Sequence, residues 1–399
     1  MRLLKSTLVL VISIFIALLI GELALRFLNI EYPLIYKGDR DRGAALAPGV
    51  AGWIRTEGAS FVKINSQGLR DREHTETKPD GVYRIAVLGD SYAEAVHVDM
   101  TDTFWSRLER NLSKCPVFAD HQIEVINLGV SGYGTAQELI TLRRHVWKYS
   151  PDMVLLAFFQ GNDVEDNSRS LTDRIYRPFF NLKDDKLIKD VSFRDSEYYA
   201  KSMSTWVGIK NNIINRVRLL QLLYHVKENL KNKDEGADVR KPETREIKME
   251  KGLSPSIYNE PKTPAWIEAW NITEKLILEM DREVRGKGST FVLTTLSISQ
   301  QVYPDKDVTA NFKKQMKISN LFYPDDRLER FAKKNRINVL KLAPRMQAFA
   351  QENNVFLHGF NNTVMGKGHW NEAGHKLAAQ LISRDICEDL GSEVLFQDR

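Results

Sequence analysis

An apolar run that ends abruptly at a Gly-Asp-Ser turn constrains this chain more than any other stretch. Ile85 to Leu88 is short, apolar and rich in β-branched residues, so it reads as a buried strand. Gly89-Asp90-Ser91 breaks the run, and Tyr92-Ala-Glu-Ala95 then favours a helix. A strand that breaks into a helix leaves Ser91 at the C-terminal edge of a sheet, beside the first backbone N–H groups of the helix, which carry partial positive charge. Ligands bind at that edge in open α/β sheets. Asp90 or Ser91 can equally be a plain N-cap, and the tripeptide alone leaves both readings open.

The same alternation recurs downstream. A helix near 102–113, with Trp105, Leu108 and Leu112 on one face, leads to a strand at Ile123–Ile126, and Gln137 to Tyr149 makes the next helix. Met153–Phe159 is continuously apolar, as expected of a strand covered on both faces. The rhythm stops after residue 165 and resumes with a helix at 264–284, a strand at Thr290–Thr294, a helix near 326–335, a strand at Ile337–Lys341 and a last helix at 371–384. In the interruption, Trp206, Ile209, Ile213, Val217, Leu220 and Tyr224 recur at spacings of three and four, which predicts one amphipathic helix. Packing on the main domain, a membrane surface and a partner are all open to it. Lys227–Lys251 is densely charged with nearly balanced signs and reads as a solvated loop.

The N-terminus adds a second constraint. Arg2 and Lys5 precede an uncharged run from Ser6 to Gly21, which reaches about 20 residues if it continues to Leu25. Gly21–Arg26 offers no clean small-x-small cleavage site, which favours an uncleaved anchor over a signal peptide. The basic start keeps the N-terminus inside and sends the remainder across the membrane. The organisation expected is an anchor and stalk at 1–30, a small cap at 31–80, a domain in two halves at 81–165 and 264–390, and an insertion at 166–263. Nothing in 31–80 suggests chemistry. The formal charge of +5 is spread along 399 residues with no basic block interleaved with aromatics, so no nucleic-acid partner is expected. Cys115 and Cys387 suit no metal spacing and are either one disulfide or two buried thiols. Glu393–Gln397 resembles part of a protease recognition tag.

Three later stretches bear on Ser91. The second strand ends in Asn127-Leu-Gly-Val-Ser-Gly-Tyr-Gly-Thr135, the third in Gln160-Gly-Asn-Asp163, and Gly368-His-Trp-Asn-Glu-Ala-Gly-His375 opens the last helix. Each can be a turn or cap, and the glycine-rich turn lacks both the Lys of a P-loop and the GxGxxG spacing. Together they put Ser91, Gly132 and Asn162 on one sheet edge, with His369 arriving from the final loop. Acyl transfer needs that combination: a hydroxyl, an imidazole to take its proton, and N–H donors for the oxyanion.

At these four blocks the chain resembles the GDSL-type, or SGNH, hydrolases, over about residues 61–165 and 285–386. Gly89-Asp-Ser-Tyr92 carries Tyr where Leu is common, and Ser131-Gly132, Gly161-Asn-Asp163, and His369 with Asn371 and Gly374 supply the rest. The resemblance implies Ser91 as nucleophile, His369 as base, and an oxyanion hole of Ser91, Gly132 and Asn162. It also implies a flavodoxin-like three-layer α/β fold with a five-stranded parallel sheet ordered 2-1-3-4-5, with no metal or organic cofactor. The function implied is serine ester hydrolysis outside the cytoplasm, on an acylated carbohydrate, lipid or small-molecule ester. The alternatives are an O-acyltransferase of a cell-surface polysaccharide, using the same site, and a silent envelope scaffold. One departure matters. The family's Asp three residues before the His is Gly366 here, so a Ser91–His369 dyad is expected, with a carbonyl or water on the far ring nitrogen; Asp163 and Glu372 are the nearest acids in sequence. His358 and His375 are the histidines most easily mistaken for the base, and a packing or hydrogen-bonding role is expected of His375.

Overall fold

A computed structural model describes residues 2–232, 249 and 253–390. Most of the charged stretch 227–251 and all of Glu393–Gln397 lie outside the described residues. The chain opens with α1 (Arg2–Phe27), whose Leu4–Phe27 portion contains an 18-residue window of mean hydropathy 2.8 with no buried residues, long and apolar enough to cross a bilayer. Two small antiparallel hairpins follow, β1 (Tyr36–Asp39) with β2 (Gly43–Leu46) and β3 (Ala51–Ile54) with β4 (Ser60–Lys63). In β4 buried and exposed positions alternate, as a strand with one packed face requires.

The main sheet is built from β5 (Val82–Gly89), β6 (Gln122–Asn127), β7 (Met153–Phe158), β10 (Thr290–Thr295) and β11 (Asn338–Lys341). All neighbours pair in parallel, in the spatial order β6-β5-β7-β10-β11, so the sequence-expected 2-1-3-4-5 order holds. Every residue of β7 is buried, which its unbroken apolar run anticipates. Two helix pairs flank the sheet: α3 (Phe104–Leu112) packs on α13 (Glu372–Asp385), and α4 (Thr135–Thr141) packs on α9 (Pro264–Gly286). Cys115 and Cys387 form a disulfide with Cα atoms 6.1 Å apart, tying the end of α3 to the chain beyond α13. Helices α10 (Lys306–Met316), α11 (Tyr323–Asn335) and α12 (Ala343–Asn353) complete the second half.

The insertion departs from its sequence reading. After α2 (Ser91–Glu94) and α5 (Asp163–Asp166), it contains an unanticipated hairpin, β8 (Phe179–Lys183) with β9 (Lys186–Asp190), turned by Asp184 and Asp185 at φ of 49° and 61°. After α6 (Glu197–Ser202), the single amphipathic helix expected over 206–224 is two helices, α7 (Thr205–Arg216) and α8 (Arg218–Asn232). Val217 between them is extended, at φ −122° and ψ 111°. The spacing of three and four runs straight across Val217, so periodicity could not reveal the break. Glu22 of α1 accepts the Arg218 and Leu219 N–H groups at 3.1 and 3.0 Å, and Arg26 donates to the Arg216 carbonyl at 2.7 Å. The insertion helices are thereby fastened to the foot of α1.

The 31–80 segment is hydrogen-bonded to the main sheet and to the loop after α2. Buried Arg70 donates to the carbonyls of Glu94, Ala95 and Val98, and Asp71 accepts the Asn127 N–H at 2.8 Å. Ser60 Oγ donates to the Val96 carbonyl at 2.6 Å. These bonds fix the β3–β4 turn over the C-terminal edge of the sheet.

Candidate active site

Ser91 is the first residue of α2, directly after β5. Asp90 caps this helix, its carboxylate accepting the Tyr92 N–H at 2.9 Å. The cap and the serine of the sequence reading are thus neighbouring residues, and Ser91 keeps its hydroxyl for other work. Ser91 Oγ lies 2.8 Å from His369 Nε2. His369 Nδ1 lies 2.7 Å from Glu57 Oε2, and the His369 backbone N–H donates to Glu57 Oε1 at 2.7 Å.

The expected dyad is therefore wrong, because a carboxylate occupies the far nitrogen. That carboxylate comes from the β3–β4 turn, in the segment that the sequence reading left without chemistry. Asp163 and Glu372 play no part in it: Asp163 is buried and accepts the Phe159 N–H at 2.8 Å, and Glu372 is exposed at the start of α13. The turn is held by Asn362, whose side chain accepts the Gly58 N–H at 3.0 Å and donates to the carbonyls of Arg55 and Gly58 at 3.1 and 2.9 Å. Position 366 has no room for the family's acid, since a Cβ on Gly366 would lie 2.5 Å from the Tyr303 ring.

The electrostatics suit a proton relay. Burial raises the pKa of Glu57, but the hydrogen bonds and charge of His369 outweigh it and hold this carboxyl below its ordinary range. An ionised Glu57 requires a proton on Nδ1, so the Nε2 lone pair faces the serine hydroxyl. His97 stacks on His369 with ring centroids 3.9 Å apart, and burial, with the charges of His369, His375 and Arg70, drives its pKa well below the usual histidine value. A neutral ring thus backs the base, its Nε2 3.7 Å from Glu57 Oε2 and beyond hydrogen-bond distance. The ligand atoms of Glu57, His97 and His369 lie within 4.8 Å of one another, a set that can hold a metal ion. A metal there would take the carboxylate oxygens and imidazole nitrogens away from the relay.

Gly132 and Asn162 follow β6 and β7, as expected. Gly132 has φ +75°, a conformation that glycine adopts without strain, and the preceding Ser131 N–H is held by the Glu94 carboxylate. Among the described residues, the backbone N–H groups of Ser91 and Gly132 donate to nothing. Asn162 Nδ2 makes a long, weak contact with Asp90 Oδ2 at 3.5 Å, and the same oxygen is 3.5 Å from Ser91 Oγ, so the amide and the serine hydroxyl share one neighbour. The other histidines serve the scaffold. His358 is bonded to the Gly368 carbonyl at 2.7 Å and Ser297 Oγ at 3.0 Å, and burial lowers its pKa to about 4. His375 accepts the Phe104 N–H at 3.2 Å.

Sequence reasoning missed Glu57, Asn362 and His97. The one available signal was Gly366 itself, which left the histidine without a local acid.

No family model and no curated protein matches this chain. Among solved structures it is similar to an acetyl xylan esterase, AlAXEase, with 11% identity over 76% of this chain and 99% of that one, at a TM-score of 0.37. It is also similar to a lipase/acylhydrolase from Enterococcus faecalis, with 13% identity over 77% and 96% of the two chains at a TM-score of 0.35. A GDSL-like lipase from Bacteroides thetaiotaomicron matches at 12% identity over 76% and 87%, at 0.31. At such TM-scores the likeness fixes no residue's role, which must come from the distances around Ser91.

Proposed function

We propose that this chain is a serine-dependent acyl-ester hydrolase of the SGNH kind, tethered by α1 with its site outside the cytoplasm. The continuous relay from Ser91 through His369 to Glu57, at 2.8 and 2.7 Å, carries this reading. His369 Nε2 takes the Ser91 proton as Oγ bonds to the ester carbonyl carbon. The carbonyl electron pair becomes an oxyanion, which the free N–H groups of Ser91 and Gly132 and the Asn162 amide receive. The imidazolium is stabilised by Glu57, then gives its proton to the departing alcohol. Water repeats the sequence on the acyl-enzyme, releasing the acid and restoring Ser91. The serine, the imidazole and water account for every proton moved.

Arg2 and Lys5, ahead of the apolar run of α1, favour an extracytoplasmic site, and the Cys115–Cys387 bond favours an oxidising setting there. A tethered enzyme there meets envelope carbohydrate and lipid, so an acyl group such as acetyl on those molecules is the proposed substrate. A serine-reactive phosphonate probe tests the reading. It should label the wild-type chain and not Ser91→Ala. A folded wild-type chain that takes no label would be a silent scaffold. Labelling with little acid released in water, until a sugar acceptor is added, would mark an O-acyltransferase instead.

A further inference from the structure

A cleft of about 1020 Å³ opens from Ser131 and Gly132 and runs between the β1–β2 hairpin, the segment around Arg174 and helices α6 to α8. It is larger than an acetyl ester needs. Seven of its lining side chains are Lys or Arg and two are Asp or Glu. Some of that charge is neutralised locally, with Arg42 on Asp39 at 3.0 Å and Arg174 and Arg177 sharing Asp166 at 3.1 and 3.2 Å. Lys37, Lys201 and Lys210 have no ion pair among the described residues, and the Lys210 ammonium lies 5.4 Å over the Tyr224 ring. Five tyrosines line the same cleft. Tyr176 and Tyr198 stack at 4.2 Å and remain 45% and 58% exposed. Large aliphatic side chains are confined to Leu34 and Val207, so the lining offers no trough for a fatty acyl chain.

We infer that this cleft binds an anionic polysaccharide whose acyl ester reaches Ser91 past Gly132, an inference that rests on the ester-hydrolase reading. The unpaired lysines attract the polymer's charge, and the exposed tyrosine surfaces pack against sugar rings. Arg174 marks the junction, its guanidinium 3.7 Å from where a Cβ on Gly132 would stand. A run of several charged sugars suits both the volume of the cleft and its excess of unpaired lysines.

Binding is measured on the full-length Ser91→Ala chain in nanodiscs of neutral lipid, by anisotropy of fluorescent, partly O-acetylated polygalacturonate, with acetylated xylan as the neutral comparison. The polyanion should bind at least tenfold more tightly than xylan, and its affinity should fall as salt is raised. Adding Lys37→Glu, Lys201→Glu and Lys210→Glu should weaken polyanion binding at least tenfold with the melting temperature unchanged. Reversing the exposed Lys314 and Lys334, outside the cleft, should not. Equal affinity for both polymers, or full affinity in the triple variant, overturns the inference. So does a charge dependence seen only for anionic-lipid vesicles. The hydrolase reading is judged separately, by p-nitrophenyl acetate turnover in the wild type: its loss would remove the reaction while the binding data still judge the cleft.

Discussion

The Glu57 carboxylate fills the space that a side chain at Gly368 would need: a Cβ there would lie 2.1 Å from Oε1. Gly368 also sits at φ +77°, so a glycine satisfies both the backbone and its neighbour. The two residues are 311 positions apart, yet each makes the other's placement possible. Because no side chain projects from 368, the carboxylate can accept from both the backbone N–H and Nδ1 of His369. The imidazole is thus fixed in tautomer and in orientation by one acid.

Glu57→Gln separates a triad from a dyad. The amide oxygen must serve the His369 N–H, which turns the amide nitrogen toward Nδ1 and puts the ring proton on Nε2, facing Ser91. A base protonated on the wrong nitrogen lowers turnover on the order of 10⁴-fold in a serine triad. Steady-state hydrolysis of p-nitrophenyl acetate measures this, and a loss under tenfold would show that Ser91 and His369 act without Glu57.

Gly368→Ala should reproduce most of that loss without touching an ionisable group. The methyl expels the Glu57 carboxylate and strains a left-handed backbone. Turnover should fall at least a hundredfold while far-ultraviolet circular dichroism is preserved. Wild-type turnover in this variant would mean that the turn relaxes freely and the close approach is incidental.

The sheet was legible because β5 and β7 carry short apolar runs and β5, β6 and β7 each end at or just before a glycine or asparagine turn. Ser91, Gly132 and Asn162 were legible because each follows such an end, and His369 because its block opens the last helix. Glu57 was not, since Thr56-Glu57-Gly58 reads as a solvated hairpin turn and its partner lies 312 residues away. Only the missing acid at Gly366 hinted that the orienting group came from elsewhere. The β8–β9 hairpin was hidden by its charges, although Asp184-Asp185 between two alternating stretches is a two-residue turn signal. Val217 breaks a helix by its backbone conformation alone, which leaves no trace in side-chain periodicity.

Asn162 offers a cleaner test of the oxyanion site than the serine does. Its Oδ1 is buried with no partner among the described residues, and its Nδ2 makes only the long contact to Asp90. An amide held so loosely in the ground state gains its full hydrogen bond when the oxyanion forms. Asn162→Ala should lower turnover roughly 10²–10³-fold with KM little changed. Unimpaired turnover would remove the residue from the oxyanion hole.

Asp325 gives a pH dependence that belongs to the fold and not to the reaction. It is fully buried, accepting from Thr295 Oγ at 2.7 Å and from Gln160 and Gln301 amides at 2.8 Å each. Burial raises its pKa to about 6, against the lowering effect of those bonds and of Lys341. The folded chain therefore holds this proton more tightly than the unfolded chain does. Its stabilising effect is complete below about pH 4, declines as pH rises to about 6, and is absent above that. Holding that proton more tightly is worth roughly 3 kcal/mol at the acid end of this window. Asp90 and Glu94, also raised to about 6 by burial, steepen the same decline, whereas Glu124, lowered to about 2 by His74 and Arg84 despite its burial, acts in the opposite sense at lower pH. Asp325→Asn leaves those groups in place and removes one titration. Asn also replaces an acceptor with a donor, so the variant is less stable at every pH. The diagnostic quantity is the slope: its denaturation midpoint should fall less steeply than that of the wild type between pH 4 and 6. Parallel curves across that window would mean that Asp325 is ionised in the folded chain throughout, with the two glutamine amides stabilising the charged carboxylate.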